Sequence, residues 1–370
     1  MKIGIITLPL NTNYGGILQA YALQTILENM GHNVYHIQKR LKPKSLPLWK
    51  IPLAYGKRIL RNLSGQKWPI LYEKKFNEET PVIRQYTNQF IKKYIKCRYI
   101  DNYSDIKENE FDVIVVGSDQ IFRAGFLPHI EESYLDFAEK WKIKRIAYAV
   151  SFGTDRWEYS SKQTKRCQQL LKLFDAVSVR EVSGVGLCKE HFGIDAEFVL
   201  DPTLLLSTNN YIELFNTTTI PQSPGNLLCY ILDETKSKKD FIAKIAKEKN
   251  LKPFNVKSKS DIISAPLKER IQPPLEQWLR GFYDADLIIT DSFHACVFSI
   301  LFKKNFFVIG NIERGMARFH SLLKTFGLED RMINIEKGTP IINANIDFNI
   351  VYNKLSLLRN KSNNFLTRNL

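Results

Sequence analysis

A chain of 370 residues exceeds what one hydrophobic core usually supports, so two domains with a cleft between them are expected. An apolar content of 44% with 25% charged residues excludes a disordered or membrane-spanning chain. The excess of 53 basic over 38 acidic residues, a formal +15, favours anionic partners: phosphorylated metabolites, nucleic acid or an acidic lipid surface.

The first 40 residues read as a βαβ unit: strand Lys2 to Thr7, a loop with Asn13, Tyr14, Gly15 and Gly16, helix Ile17 to Met30 closed by Gly31, and strand Asn33 to Ile37. That loop offers backbone N–H groups and a positive helix end to an anion or a sugar hydroxyl. It lacks GxGxxG spacing, so a dinucleotide site is not supported. From Lys39 to Tyr72 comes an insertion with nine lysines and arginines, no acidic residue and four prolines, interleaved with Leu48, Trp49, Leu53, Leu60 and other large apolar residues. Such a segment either lies on an anionic bilayer or buries itself across the cleft; nucleic acid is a third and weaker reading.

Parallel strands are expected at Asp112 to Val116, Arg145 to Val150, Ala176 to Val179 and Glu197 to Leu200, alternating with helices such as Ser160 to Phe174 and Ser183 to Phe192. Their ends carry the chemistry. Ser118, Asp119 and Gln120 follow the first of these strands, where Asp119 suits a base, a sugar ligand or an Asx turn. Ser151-Phe152-Gly153 reads as turn chemistry and close backbone approach. Arg180, at the exit of an apolar strand, is costly unless it holds an anion or pairs with Glu181. Asp201-Pro202-Thr203 ends this half, and Asn216 to Asn226 is the linker candidate.

A second series begins with strand Leu227 to Leu232, helix Lys238 to Lys249, a strand near Pro253 to Val256 and a helix over Leu275 to Tyr283. The apolar strand ending at Ile289 runs into Thr290-Asp291-Ser292-Phe293-His294-Ala295 and then an apolar helix to Phe302. A strand that stops in polar residues and a histidine sits where open α/β sheets build their sites. Arg314, Arg318 and His320 follow strand Phe306 to Ile309, near His294 if the strands are neighbours. The helix Asp347 to Asn360 is expected to pack back on the first domain. The fold class is α/β: an N-terminal Rossmann-like domain over 1–214, a second over 215–340 and the C-terminal helix in 341–370. Arg180, His294 and Arg318 thus stand across a cleft from Asp119, a set suited to a small substrate carrying both carboxylate and phosphate. The five cysteines are widely spaced, and no HExxH or Cys/His cluster supports a metal.

Asn13-Tyr14-Gly15-Gly16-Ile17-Leu18-Gln19, Val116-Gly117-Ser118-Asp119-Gln120, Tyr148-Ala149-Val150-Ser151-Phe152-Gly153, Ser178-Val179-Arg180-Glu181, Leu200-Asp201-Pro202-Thr203 and Thr290-Asp291-Ser292-Phe293-His294, in this order over roughly residues 1 to 330, together resemble the polysaccharide pyruvyl transferase family. The resemblance implies a GT-B-like fold and transfer of an enolpyruvyl-derived unit from phosphoenolpyruvate to a sugar, commonly as a pyruvate ketal, in capsule or exopolysaccharide synthesis. It implies donor contacts from Arg180 and His294. Many members carry an arginine-leucine pair before the histidine and a glycine after it, where this chain has Ser292-Phe293 and Ala295, so Arg318 becomes the candidate for the missing anion contact, beside Ser292. On this reading His294 is the acid or a phosphate ligand, Arg180 and Arg318 clamp the anionic groups, and Asp119 is the base. Asn13, Tyr14, Gly15, Gly16, Ser118, Asp119 and Gln120 face the acceptor, expected on a polyprenyl diphosphate. No cofactor and no nucleic acid are expected. The protein is expected in the cytoplasm, with a peripheral place at the inner membrane face. The rival readings are a sugar-nucleotide glycosyltransferase of the same fold and a non-catalytic sugar- or nucleic-acid-binding protein.

Overall fold

A computed structural model describes residues 1–65, 68–215, 220–310, 315–335 and 345–370. The N-terminal half is built from β1 (Lys2–Ile6), α1 (Tyr14–Asn29), β2 (Asn33–Lys39), α2 (Ile51–Leu63), α3 (Tyr72–Ile83), α4 (Gln85–Tyr94), β3 (Cys97–Ile100), β4 (Val113–Val116), β5 (Lys144–Val150), α5 (Ser161–Leu171), β6 (Ala176–Val179), α6 (Val182–Leu187) and β7 (Glu197–Phe198). The strands form one parallel sheet in the order β3-β2-β1-β4-β5-β6-β7. Continuous apolar runs such as Val113-Ile114-Val115-Val116, buried at all four positions, are what a sheet covered by helices on both faces requires.

The second half comprises α7 (Thr208–Ile212), β8 (Leu227–Tyr230), α8 (Lys236–Glu248), β9 (Pro253–Phe254), α9 (Leu267–Arg270), α10 (Leu275–Asp284), β10 (Leu287–Thr290), α11 (Phe293–Leu301), β11 (Asn305–Ile309), α12 (Met316–Phe326), β12 (Met332–Ile333) and α13 (Phe348–Asn369). Its parallel sheet runs β12-β11-β10-β8-β9. All nine residues of α11 are buried, so this helix is a rigid mount for whatever its first turn carries. Of the expected linker, residues 216–219 lie outside the described residues, as does Arg314.

Each sheet reverses its strand order once, between β1 and β4 in the first and between β8 and β10 in the second. A doubly wound sheet opens a crevice at the carboxyl ends of its strands at such a point. The two halves share one apolar core, which runs from Ile17 and Leu18 of α1 through Trp278 of α10 to Val297 and Phe298 of α11. Polar ties reinforce it: Tyr14 donates its hydroxyl to the Pro273 carbonyl at 2.7 Å, Gln272 donates to the Thr12 carbonyl at 2.8 Å, and Arg270 pairs with Glu79. The long α13 crosses both halves, with Tyr352 donating to the Leu301 carbonyl and Ser362 accepting from the Leu200 amide at 3.0 Å.

Three elements differ from expectation. Helix α1 begins at Tyr14 rather than Ile17, so Gly15 and Gly16 occupy its first turn instead of a loop. Strand β3 pairs with the edge of the first sheet although its sequence, Cys-Arg-Tyr-Ile, lacks an apolar run; an edge strand leaves side chains in solvent and tolerates arginine and tyrosine. The insertion continues beyond Tyr72 as α3 and α4. It is α3 that reaches the second half, through Arg270 and through Lys75, which donates to the Ile263 carbonyl at 3.3 Å.

Candidate functional site

The two switch points face each other and enclose a cavity of about 260 Å³. Asn13 and Tyr14 come to it from the β1 exit, Asp119 and Gln120 from β4, Ser292 and His294 from β10, and Arg318 from α12. These expected site residues therefore share one wall system. The first turns of α1, α11 and α12 all reach it, and none carries an acidic residue, so three positive helix ends converge on the space.

The other expected residues lie behind that wall. Ser118 is fully buried; its amide donates to Gln19 Oε1 at 3.1 Å and its carbonyl accepts from Thr7. Gln19 also donates to Thr7 Oγ1 at 2.9 Å, so Ser118 belongs to a brace joining the ends of β1 and β4, and an acceptor contact from its side chain is not available in this arrangement. Gly15 and Gly16 present no side chain, and Gly15 has a different job. A Cβ at Gly15 would stand 2.1 Å from His294 Nδ1 and 2.7 Å from His294 Cβ. The absent methyl is the seat of the imidazole, contributed by the opposite half of the molecule. Gly153 has φ of +71° and holds Gln120 Oε1 against its Cα, which fits the close approach expected of that turn. His320 is exposed and does not line the cavity.

Arg180 does not line the cavity either. Its guanidinium is almost wholly buried and spans three carboxylates: Nη1 to Asp201 at 2.6 Å, Nη2 to Asp119 at 2.9 Å and Nε to Glu181 at 3.3 Å. The expected clamp on a donor anion is thus corrected to an internal hub, because its donors are already taken by the ends of β4, β6 and β7. The alternative to anion binding, a pair with Glu181, holds in part: Glu181 is a partner, but the two shorter contacts come from Asp119 and Asp201. Phe293 separates this hub from Arg318, with the Arg180 guanidinium 4.8 Å from the ring centre and that of Arg318 5.4 Å from it.

The electrostatics follow from this packing. Burial raises the Asp119 and Asp201 carboxyls, but Arg180 and His294 outweigh it and hold both below their usual values. For Glu181 burial wins and its pKa rises. Burial likewise drives the His294 imidazole down to about 4, so the ring is neutral near pH 7, and its Nε2 lies 3.8 Å from Asp201 without a hydrogen-bond partner among the described residues. Burial, then the charge of Arg180, lowers Arg318 to about 10. Asp119 holds a left-handed backbone, φ 66°, which aims its carboxylate at Arg180 from the β4 exit.

Several wall residues carried no recognisable sequence signal. Lys257, after β9, is held by the Ile231 and Leu232 carbonyls at 3.1 and 2.7 Å, and Ser258, Asp261 and Gln272 continue the same wall. Asp291 accepts from the Leu232 and Asp233 amides at 2.6 and 3.1 Å and from Lys238 at 2.7 Å, locking the β8 and β10 exits together. Ser292 is the N-cap of α11 and makes no side-chain cap bond. Among the described residues no cluster of metal-ligating side chains occurs, and no helix is long and apolar enough to cross a membrane.

Two parallel α/β domains facing across a cleft are the GT-B-like arrangement. The chain is similar to Arabidopsis thaliana UGT89C1 complexed with UDP-L-rhamnose (TM-score 0.51, 8% identity, 97% of this chain and 93% of that one). It also matches UDP-GlcNAc 2-epimerase from Neisseria meningitidis bound to UDP-GlcNAc (TM-score 0.48, 11% identity, 98% and 94%). At such identities the likeness concerns fold. Within that fold class the chain belongs to the polysaccharide pyruvyl transferase family, whose model matches residues 13–313. No curated protein matches it significantly.

Proposed function

We propose that the protein transfers the pyruvyl unit of phosphoenolpyruvate to two hydroxyls of one sugar, forming a pyruvate ketal and inorganic phosphate, during assembly of a capsule or exopolysaccharide repeat unit on a polyprenyl diphosphate. The family supports pyruvyl transfer. The observation that carries the reading is His294, seated on Gly15 at the positive end of α11 within the same cavity as Arg318.

In this mechanism Arg318 and the three helix ends hold the donor's anionic groups. Its phosphate raises the pKa of the neutral His294, which takes up a proton and delivers it to the methylene carbon. The carbon bearing the phosphate gains oxocarbenium character, and the first sugar hydroxyl attacks it. Phosphate then leaves with its C–O electron pair, and the second hydroxyl closes the ketal as its proton passes to the departing phosphate. Asp119, a weak base while paired with Arg180, orients the attacking hydroxyl and accepts its proton only as the C–O bond forms. Arg180 acts through Asp119 and Asp201 as a positioning residue. Release of phosphate from phosphoenolpyruvate with a lipid-linked oligosaccharide tests the proposal: His294→Ala should abolish it, and near-full turnover by that variant rejects the role. Consumption of a UDP-hexose in place of phosphoenolpyruvate rejects the donor.

A further inference from the structure

Helix α2 and the turn before it direct a large apolar surface outward. The inner face of α2 is fixed: Ile51, Ala54 and Tyr55 are half-buried there, Arg58 pairs with Glu73 of α3 at 2.6 Å, and Asn62 exchanges hydrogen bonds with the backbone of Trp68 at 2.6 and 2.8 Å. At helical spacing Leu53, Gly56, Leu60 and Leu63 then fall on the opposite side, with Ile59 beside them. That side faces solvent. Leu48, Trp49, Leu53, Leu60 and Leu63 are between 67% and 85% exposed, and no residue of α2 is buried. A soluble protein does not leave such a stripe uncovered without a partner.

The charges say which partner. Residues 39–72 hold nine basic side chains and no acidic one. Lys57 and Arg61 border the apolar stripe, and Lys50 lies against the Trp49 ring, 4.7 Å from its centre. Apolar side chains at the centre and cations at the border match the acyl boundary and the headgroups of an anionic bilayer. We infer that the solvent-facing stripe of α2, with Leu48 and Trp49, is the surface by which this protein docks on an anionic lipid bilayer.

The position of α2 gives the contact a purpose. Helix α2 rides on α3, and α3 is tied to the second half at Ile263 and Arg270, directly after the Ser258–Asp261 stretch that lines the cavity. Docking through α2 therefore links the bilayer, by way of α3, to the segment that carries part of the cavity wall. The lipid-binding step itself is independent of the proposed donor chemistry and is measured without any substrate.

The full-length protein would be sedimented with vesicles rich in phosphatidylglycerol and with vesicles of phosphatidylcholine alone. Binding to the anionic vesicles should exceed that to the neutral ones by about tenfold or more, and raised salt should reduce it. The double variant Leu53→Asp/Leu60→Asp should lose at least about tenfold of that binding. Because both side chains are exposed, its thermal unfolding and its turnover of a water-soluble acceptor should match the parent. Lys57→Gln/Arg61→Gln should weaken binding to anionic vesicles while leaving the weak neutral binding unchanged. Equal binding by parent and Leu53→Asp/Leu60→Asp overturns the inference. So does a self-associating parent that becomes monomeric in that variant without having bound vesicles, which would assign the stripe to a second copy of the chain.

Discussion

Gly15→Ala isolates the contact on which the site depends. An alanine in the first turn of a helix ordinarily stabilises it by up to about 1 kcal/mol relative to glycine. Here the new Cβ would stand 2.1 Å from His294 Nδ1 and 2.2 Å from Cγ, so the ring would have to retreat by about 1.3 Å to regain a 3.4 Å contact. Rotation of the side chain does not provide this, because His294 Cβ itself is only 2.7 Å away and sits on a helix buried along its whole length. The clash must be met by a backbone shift in α1 or α11, with an overpacking cost of about 1–3 kcal/mol. A displacement of about 1 Å at a catalytic group costs on the order of 100-fold in rate. Gly15→Ala should therefore lose about two orders of magnitude in phosphate release and lower the urea midpoint. In a His294→Ala background the ring is gone and only the 2.7 Å approach to Cβ remains, so the same substitution should cost markedly less. Gly16→Ala is the companion, since the nearest atom to its Cβ is Asn13 Nδ2 at 3.1 Å, the end of a side chain that can give way, and it should be mild. An equal stability cost of Gly15→Ala in both backgrounds would refute the reasoning.

Arg180→Met should destabilise the fold by about 3–5 kcal/mol in urea unfolding, because it strands Asp119, Asp201 and Glu181 in the interior; a cost below about 1 kcal/mol contradicts the hub. Arg318→Gln should raise the KM for phosphoenolpyruvate about tenfold or more with little loss of stability, since burial and Arg180 already disfavour its charged form. For pH, His36 is buried with Nε2 3.1 Å from the Ala20 carbonyl, and burial lowers its pKa from 6.5 to about 4, as for His294. Between those values the unfolded chain binds more protons than the folded one, so stability rises with pH through this window and each histidine costs about 2 kcal/mol by pH 5. Glu181, with its raised pKa, acts in the opposite sense, so the comparison is between variants: His36→Gln should lose less stability than the parent from pH 7 to 5, and identical slopes contradict the assignment.

The βα alternation was legible because parallel strands covered on both faces must be continuous apolar runs, and Val113–Val116 or Leu287–Ile289 can hardly be anything else. His294 was legible for the same reason, as a polar break at the end of such a run. The hub around Arg180 was only half legible. Glu181 is its neighbour in sequence, whereas Asp201 and Asp119 reach it from the exits of β7 and β4, the latter across β5, a relation that exists only once the sheet is ordered. Gly15 is expected in a loop that offers its backbone N–H to a ligand, yet its backbone is helical; what it supplies is space for a residue 279 positions away, and no local pattern encodes that. Lys257 and Gln272 come from a stretch without periodicity and owe their place to the meeting of the two halves.

The hub also sets the terms on which any anion enters. Asp119 and Glu181 act on Arg318 as resident counterions, since the depressed Asp119 pKa reflects Arg318 as well as Arg180. An incoming phosphate is thus a replacement for an internal rival, and its affinity is the difference between two attractions. If the site binds a phosphorylated donor as proposed, the chain's own carboxylates reclaim the guanidinium when the anion departs. On the proposed reading, tight binding of inorganic phosphate, which would stall a transferase after every turnover, is held off by the chain's own carboxylates.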